Sequence, residues 1–569
     1  MTTALERYRL WAEHPYFDDA TRRELASIAH DPAEVEERFY RTLEFGTAGM
    51  RGMIAAGTNR MNRYVVRQAT QGLADYIATI GDTTRAQGVV IAHDPRRQSP
   101  EFALEAALTL NAGGIKAYLW DSLRPTPMLS YAVRKLGAIA GIVITASHNP
   151  REYNGYKVYW ADGGQVSPER ASAIHGGFAA ADITTIRPMP EAEARARGLL
   201  RPVPAAVDRD YITDLIVLAV TAPAERAACW ILYTPIHGTG SIPVQQAFRR
   251  AGFPISVVRE QADPDPEFPT VATPNPEDPA VFTLALQQAE LERPDVIIAT
   301  DPDADRLGAM ARDSRGRYRL LSGNQIGVLL VDYLLASRPV PPNAAVIKTI
   351  ATSNLVAPLC RAHGVDLLNV HTGFKFIGDK IREFEETGSH TFLLGFEESL
   401  GYLGATFVRD KDAVMAALML ADAVAWHKAR GRTLCDALSS IWQRCGYFQE
   451  AQHSVKLAGQ EGQARIAALM EALRRDPPAQ FAGIPVAYTD DYLAGVGVDH
   501  ARNVSYPLTL GRANVLHYRF GDGGFVMVRP SGTEPKLKVY FSVTGGSEAE
   551  AAQRLEAVKA DTLARMGLG

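Results

Sequence analysis

Short apolar runs alternate with loops rich in Gly and Pro and then with stretches of helical spacing, and this alternation organises most of the chain. Runs at 88–93, 139–144, 228–233, 296–299, 345–348 and 391–394 read as strands, each followed by a loop and a helical segment. That order predicts α/β domains with largely parallel sheets. The first forty residues set apolar positions at helical spacing among acids and bases, which predicts peripheral helices ahead of the first sheet. Residues 189–207, rich in Pro, Ala, Arg and Glu, have little strand character and predict a connection between units. A further boundary is expected near Leu320. Beyond Phe448 the pattern changes to a helix, strands with hairpin-like turns, and an amphipathic helix from Glu548, which is α+β in character. The expected division is therefore 1–207, 208–320, 321–447 and 448–569.

Length agrees with that division, since 569 residues at about 150 per unit make roughly four domains. A hydrophobic fraction of 46% with 22% charged residues belongs to an ordinary globular protein and excludes a disordered or collagenous one. Lys and Arg number 60 against 64 Asp and Glu, a net charge of -4 without the basic excess that a phosphate backbone needs, so nucleic acid is not an expected partner. The longest apolar stretches, 136–146 and 413–421, fall short of the roughly 20 residues of a membrane span. Cys229, Cys360, Cys435 and Cys445 show neither CxxC nor zinc-finger spacing, and the opening MTTALERYRLW builds no signal peptide. These features predict reduced thiols in a cytoplasmic protein that touches no membrane. No readable trace of oligomeric state accompanies them.

Five loops carry candidate chemistry. GAIAGIVITASHNPREYNGYK ends an apolar strand at Ile144 and then offers Ser147, His148 and Lys157, at the carboxyl end of a strand where open α/β sheets bind ligands. The plainer reading is a Ser/Asn/Pro turn. No GxSxG elbow surrounds the serine, so an esterase nucleophile is not suggested. In PDVIIATDPDADRLG a second strand runs into Asp301, Asp303 and Asp305, three carboxylates that repel one another unless a hard divalent cation lies between them. Arg306 and Arg312 stand where an EF-hand needs its turn glycine and bidentate glutamate, so few protein ligands surround the ion and positions stay open for a phosphoryl oxygen. LLGFEESLGY places Glu397, Glu398 and Ser399 between glycines, acceptors for a sugar diol or acids at a helix start. Arg409 and Lys411 follow as nearby cations or as surface charges. FVMVRPSGTEPKLKVYFSV is strand, loop, strand, with Arg529, Ser531, Gly532 and Thr533 at a turn suited to an anion-binding nest or to an ordinary hairpin. FGTAGMRG groups Gly46, Gly49 and Gly52 around Arg51, permits close backbone approach to a ligand, and is neither a Walker loop nor a dinucleotide fingerprint.

In this order, FGTAGMRG, TASHNP, DPDADR, GFEES and RPSGTEP closely resemble the loops of the alpha-D-phosphohexomutase superfamily, the group containing phosphoglucomutases and phosphomannomutases. They spread from residue 45 to residue 535. The resemblance implies three similar α/β/α domains with mixed, largely parallel sheets plus a smaller C-terminal α+β domain, one loop from each meeting in a central cleft. It implies that Ser147 carries a phosphoryl group, that Asp301, Asp303 and Asp305 hold Mg2+ together with that phosphoserine, and that Arg306 neutralises the group in transfer. Lys157 and His148 would serve the acid/base steps. Glu397 and Ser399 would bind sugar hydroxyls, Arg529, Ser531, Gly532 and Thr533 the distal phosphate, and Arg51, Lys375 and Lys411 would add substrate contacts. The loop YTPIHGTG with His237 also resembles the family and is assigned no chemistry. Two phosphates and three Asp bring about -7, and Mg2+ with Arg51, Lys157, Arg306, Lys375, Lys411 and Arg529 about +8, so the assembled cleft would be nearly balanced.

Within the superfamily, Tyr402 in GFEESLGY stands where the GExSGH-like form of many bacterial phosphomannomutases has histidine. The TASHNPREYNGYK and GFEESLGY forms resemble the bacterial phosphoglucomutase branch that neighbours phosphopentomutases. The expected reaction is interconversion of glucose 1-phosphate and glucose 6-phosphate, with glucose 1,6-bisphosphate as intermediate and activator. Phosphomannomutase and phosphopentomutase activities are the alternatives. An aspartate-based phosphatase would need Thr or Val where Asp305 stands, and a non-catalytic sugar-phosphate sensor is the reading from a different class. If Lys157 is the general base, its pKa must fall from about 10.4 to roughly 7 to 8.

Overall fold

The computed structural model describes residues 3–44, 46, 49–457, 459–531 and 536–568. The chain packs into two compact units, the first made of Met1–Leu321, Gly378–Thr387 and Ser399–Gly431, the second of Ser322–Ile377, Gly388–Glu398 and Arg432–Gly569.

The first unit holds two sheets. One has six strands in the order Met50–Met53, Tyr153–Trp160, Ala140–Ile144, Val89–His93, Ala117–Leu119, Leu200–Pro202. Its middle strands, VVIAH and AGIVI, run parallel and are buried at every position, as strands covered by helices on both faces must be. Tyr153–Trp160 returns antiparallel against Ala140–Ile144, so the sheet is mixed. The other sheet has five strands, Tyr318–Leu321, Leu307–Arg312, Val296–Thr300, Ile231–Thr234, Ile255–Val257, again mixed. The helix Ala413–Lys428 is buried nearly all round, which accounts for its apolar run from Ala413 to Ala421.

The three N-terminal helices Ala4–Glu13, Asp19–Ile28 and Pro32–Phe39 are less peripheral than their spacing predicts: Trp11, Phe17, Leu25 and Phe39 join the first sheet's core. The stretch read as a connection supplies a short helix, Glu191–Ala196, and the edge strand Leu200–Pro202. An edge strand pairs on one side only and tolerates Pro, so it needs little β-rich sequence; Leu200 is the residue it buries.

In the second unit Ala344–Thr349 pairs in parallel with Asp366–Val370 and with Thr391–Glu397. The C-terminal part is an antiparallel sheet in the order Tyr447–Lys456, Lys536–Gly545, Phe525–Pro530, Leu516–Phe520, Ile484–Asp491, Val496–Asp499, Val504–Pro507. Its core cluster takes in residues of the helices Gly459–Arg475 and Glu548–Arg565. The change from α/β to α+β past Phe448 is thus realised, except that the strand Tyr447–Lys456 precedes the helix that was expected first.

Candidate active site

Ser147 sits three residues past the end of Ala140–Ile144, in a left-handed backbone conformation with φ 52° that is uncommon for a residue with a side chain. A buried network holds it there. Its N–H donates to Thr145 Oγ1 at 2.8 Å, and the Thr145 hydroxyl donates to Asp94 Oδ2 at 2.6 Å. Arg96, paired with Asp94 at 3.2 Å, donates to the carbonyls of Ser147 at 2.6 Å, Pro150 at 2.7 Å and Tyr153 at 3.1 Å. Both ions are buried, and burial pushes the Asp94 carboxyl up despite Arg96. Sequence reasoning missed this clamp, because AHDPRRQSP carries no motif that marks its second charge as internal.

The metal loop lies beside that serine. Ser147 Oγ donates to Asp301 Oδ2 at 2.6 Å and lies 3.2 Å from His148 Nδ1. The loop folds on itself: Asp301 Oδ1 accepts the backbone N–H of Asp305 at 3.1 Å and of Arg306 at 3.0 Å. Asp303 Oδ2 accepts from Lys157 Nζ at 2.7 Å and Thr126 Oγ1 at 2.9 Å. Asp305 Oδ2 lies 3.4 Å from Lys157 Nζ and 3.3 Å from Lys411 Nζ. Each aspartate offers an oxygen within 4.8 Å of the others, and Oδ1 of Asp303 and of Asp305 is buried without a hydrogen-bond partner. Buried carboxylate oxygens left unsatisfied are costly, and an all-oxygen set of this kind suits a hard divalent cation such as Mg2+. The donor set therefore fits the ion.

The electrostatics follow from that crowding. Burial, then Asp303 and Asp305, push the Asp301 carboxyl well up. Burial also opposes the charge on Asp305, but Lys411, Lys157 and Arg306 together hold its carboxyl below the usual range. Burial disfavours the Lys157 ammonium, yet Asp303 and Asp305 outweigh it and raise its pKa. The field at Lys157 is thus opposite to the one a lysine general base needs. Burial, with Arg306 and Arg51, pushes His148 well down, so its imidazole is neutral at pH 7.

Arg306 donates to Glu277 Oε1 at 3.3 Å, and its backbone bridges Gly401, two residues after Ser399. Arg51, in Met50–Met53, donates to Asn149 Oδ1 at 3.1 Å. Gly49 approaches the neighbouring strand tightly, where a Cβ would lie 2.0 Å from the Tyr156 carbonyl. Arg409 and Lys411 are buried instead of surface charges: Arg409 pairs with Glu385, and Lys411 lies 3.1 Å from Asp410. Asp410, which the sequence did not single out, also accepts from Tyr159 OH at 2.7 Å and Gln165 at 2.8 Å. Both ring nitrogens of His237 are engaged, by the Asp263 carbonyl and Thr270, a structural role.

Of the remaining predicted residues, Ser399 belongs to the first unit and the others to the second. Glu397 closes the strand Thr391–Glu397 and is buried, and Lys375 opens the helix Lys375–Thr387. Glu398 accepts from Thr349 and Thr352 hydroxyls, both at 3.2 Å. Arg529 stands on Phe525–Pro530, whose hairpin partner is Lys536–Gly545, and Ser531 N–H donates to the Lys536 carbonyl at 2.7 Å. Gly532 and Thr533 lie outside the described residues.

Comparison with known proteins agrees with this geometry. Residues 42–184, 209–316 and 322–445 match the phosphoglucomutase/phosphomannomutase alpha/beta/alpha domains I, II and III, and 461–560 match the C-terminal domain of the same family. A phosphoglucomutase of Staphylococcus epidermidis is 37% identical over 90% of this chain and 92% of its own. That of Staphylococcus haemolyticus is 39% identical over 89% and 91%, and that of Staphylococcus aureus 35% identical over 92% and 94%. Among solved structures, a phosphoglucomutase from Paramecium in its open form has a TM-score of 0.67 at 19% identity, covering 93% of this chain and 96% of that one. A phosphoglucomutase/phosphomannomutase family protein from Burkholderia thailandensis has a TM-score of 0.67 at 20% identity, covering 92% and 98%. With full-length relatives, four matched domains in order and a serine bonded to an aspartate triplet, the chain belongs to the phosphoglucomutase/phosphomannomutase family.

Proposed function

We propose that this chain interconverts alpha-D-glucose 1-phosphate and glucose 6-phosphate by way of a phosphorylated Ser147. The observation that supports this most directly is the 2.6 Å hydrogen bond from Ser147 Oγ to Asp301 inside a buried triplet of aspartates. In the first half-reaction the free hydroxyl of the hexose phosphate forms a new P–O bond and releases its proton, while the P–O bond to Ser147 breaks and Oγ takes a proton up. The product is glucose 1,6-bisphosphate. After it turns end for end, Ser147 Oγ attacks the other phosphate, loses its proton and regenerates the phosphoenzyme, so no net proton is consumed. His148, neutral and next to Oγ, is the group we assign to that proton. Lys157 stays charged beside Asp303 and Asp305 and acts as an acid and a counter-charge.

Asp301, Asp303 and Asp305, with the phosphoserine, would hold Mg2+, which supplies charge stabilisation to the phosphoryl oxygens when bound. Arg306 would neutralise the group in transfer. We assign Arg529, Ser531, Gly532 and Thr533 to the other phosphate, Glu397 and Ser399 to sugar hydroxyls, and Arg51, Lys375 and Lys411 to further substrate contacts. The division at 207/208, 320/321 and 447/448 gives each of the four segments one of these loops. The cytoplasm is the compartment that suits four cysteines present as thiols, and among the described residues no helix is long and apolar enough to cross a membrane.

Purified enzyme, primed with glucose 1,6-bisphosphate and Mg2+, is assayed with the 1-phosphates of glucose, mannose, glucosamine and ribose. Fastest turnover of glucose 1-phosphate and acid-stable phosphate on a Ser147 peptide are expected, with Ser147→Ala losing both. Exclusive turnover of the pentose ester refutes the hexose assignment, and a labile aspartyl phosphate refutes the serine.

A further inference from the structure

The motif YTPIHGTG enters no step of the reaction, yet in the first unit it touches the metal loop directly and the Ser147 loop through one intermediate segment. It leaves the strand Ile231–Thr234 through two consecutive left-handed residues, Ile236 at φ 47° and His237 at φ 58°. A β-branched side chain is a true outlier there, and such strain persists only where surrounding contacts over-determine it. Those contacts run in two directions.

Toward the metal loop, Thr239 donates its N–H at 2.8 Å and its hydroxyl at 2.9 Å to the carbonyl of Pro302, the residue between Asp301 and Asp303. Gly238 permits the approach, since a Cβ there would lie 2.7 Å from Pro302 Cα. Toward the serine loop, His237 holds both ends of the segment 261–270. Its N–H donates to the Gln261 carbonyl at 3.0 Å. A carbonyl only accepts, so Nδ1 carries the ring proton and donates to Asp263 O at 3.1 Å, and Nε2 accepts from the Thr270 hydroxyl at 2.9 Å. Between these anchors the segment presents Phe268, which is 1% exposed and also left-handed at φ 46°. The guanidinium of Arg96 lies over its ring at 5.1 Å, a favourable contact for a desolvated cation. Arg96 is the residue that bonds the Ser147 carbonyl. The neighbouring Glu267 pairs with Arg97 at the surface, where an ion pair contributes little, so the brace rests on Phe268.

We propose that His237 and Thr239 are positioning residues: the turn IHGT fixes the aspartate triplet on one side and, through Phe268 and Arg96, the Ser147 loop on the other, and so sets the distance between Ser147 Oγ and the three carboxylates. Its consequence for turnover rests on the function proposed above for Ser147. The placement of the two loops does not.

Three variants test this. His237→Phe keeps a ring and removes both side-chain hydrogen bonds, Phe268→Leu keeps apolar fill and removes the ring beside Arg96, and Thr239→Val removes one of the two bonds to Pro302. With glucose 1-phosphate, Mg2+ and glucose 1,6-bisphosphate, kcat should fall by about tenfold or more in the first two while KM stays within about twofold, since a misplaced reacting group is felt in the transition state. In hydrogen exchange of the free enzyme, the Ser147 amide, which donates to Thr145, should exchange about tenfold faster or more in His237→Phe and Phe268→Leu. The Asp305 amide, which donates to Asp301, should do so in Thr239→Val. The core strand Val89–His93 should keep wild-type rates in all three, whereas a merely structural role would speed its exchange in step with the loops. That parallel loss, unchanged exchange at Ser147 or Asp305, or unchanged kcat in the first two variants of an active enzyme overturns the proposal. If His237→Phe does not fold, Phe268→Leu reads the same link from its other end. A wild type that turns over no glucose 1-phosphate refutes the function proposed above, and the exchange comparison still decides the placement.

Discussion

Ser147 is held in a strained turn by groups that never touch a substrate, and Arg96 is the most exacting of them. It spends its guanidinium on four carbonyls of the serine loop, those of Ser147, Asn149, Pro150 and Tyr153, and on the buried Asp94. Arg96→Met should therefore do two separable things. Leaving Asp94 buried and unpaired costs about 3–5 kcal/mol of stability, readable as a lower unfolding midpoint. Letting the serine loop drift by about 1 Å lowers turnover by about 100-fold. Adding Asp94→Asn removes the stranded charge and recovers part of the stability, while turnover stays low. Recovery of both together would mean that the clamp is only structural. At this scale the sequence was informative where a residue type announces its chemistry. Three alternating aspartates at a strand end imply a cation, and the structure leaves two of their oxygens unpartnered to receive one. Asp94, Arg96 and Asp410 escaped notice because a charged residue in a loop looks solvated until its burial is known. The direction of the Lys157 shift escaped for a related reason. It depends on two carboxylates about 150 positions away in sequence, and no spacing rule brings them within 2.7 and 3.4 Å.

The helix Ala413–Lys428 is where local structure and charge meet most directly. Its N-cap is Asp412, which accepts the Met415 N–H at 2.9 Å and the Tyr211 hydroxyl on both carboxyl oxygens at 2.9 Å. Burial pushes this carboxyl up to about 7, against the lowering effect of those hydrogen bonds. A raised carboxyl pKa means that the native state holds a proton the unfolded chain has already lost. Stability from this group is therefore greatest below about 4 and falls as pH rises from there through 7, then stays flat. The span corresponds to a penalty on the order of 4 kcal/mol. Asn also caps helices well, so Asp412→Asn should flatten the pH profile of chemical denaturation between about 4 and 7 and gain on wild type at pH 8. An unchanged slope would show that Asp412 is ionised in the native state. Six strands were legible in sequence because a strand buried on both faces must be a continuous apolar run, as VVIAH and AGIVI are. Leu200–Pro202 was not, since an edge strand has one side to satisfy and leaves almost no mark on composition.

Each of the two units owns hydrophobic cores of its own, the first around Trp11, Phe102 and Ile142 and around Leu232 and Phe282, the second around Tyr518, Val539 and Phe541 and around Tyr492 and Met527. The aspartate triplet and Ser147 lie wholly in the first, so a cation bound there stabilises the first unit by mass action and has no ligand in the second. Hydrogen exchange with and without Mg2+ measures that asymmetry. At about 100 times its dissociation constant the ion contributes about 2.7 kcal/mol, a slowing of about 100-fold for amides that exchange only when the site comes apart. The amides of Asp305 and Arg306, which bond Asp301 Oδ1, and the strands Ala140–Ile144 and Val296–Thr300 should gain that protection. Leu516–Phe520 and Lys536–Gly545 should not. Asp303→Asn should remove the effect while leaving exchange in the second unit as it was, and adding chelator to the wild type should do the same. Equal protection in both units would mean that the ion binds elsewhere or that the units unfold as one body. No protection in either would mean that Lys157 and Lys411 already satisfy the three carboxylates and that the triplet holds no cation at all.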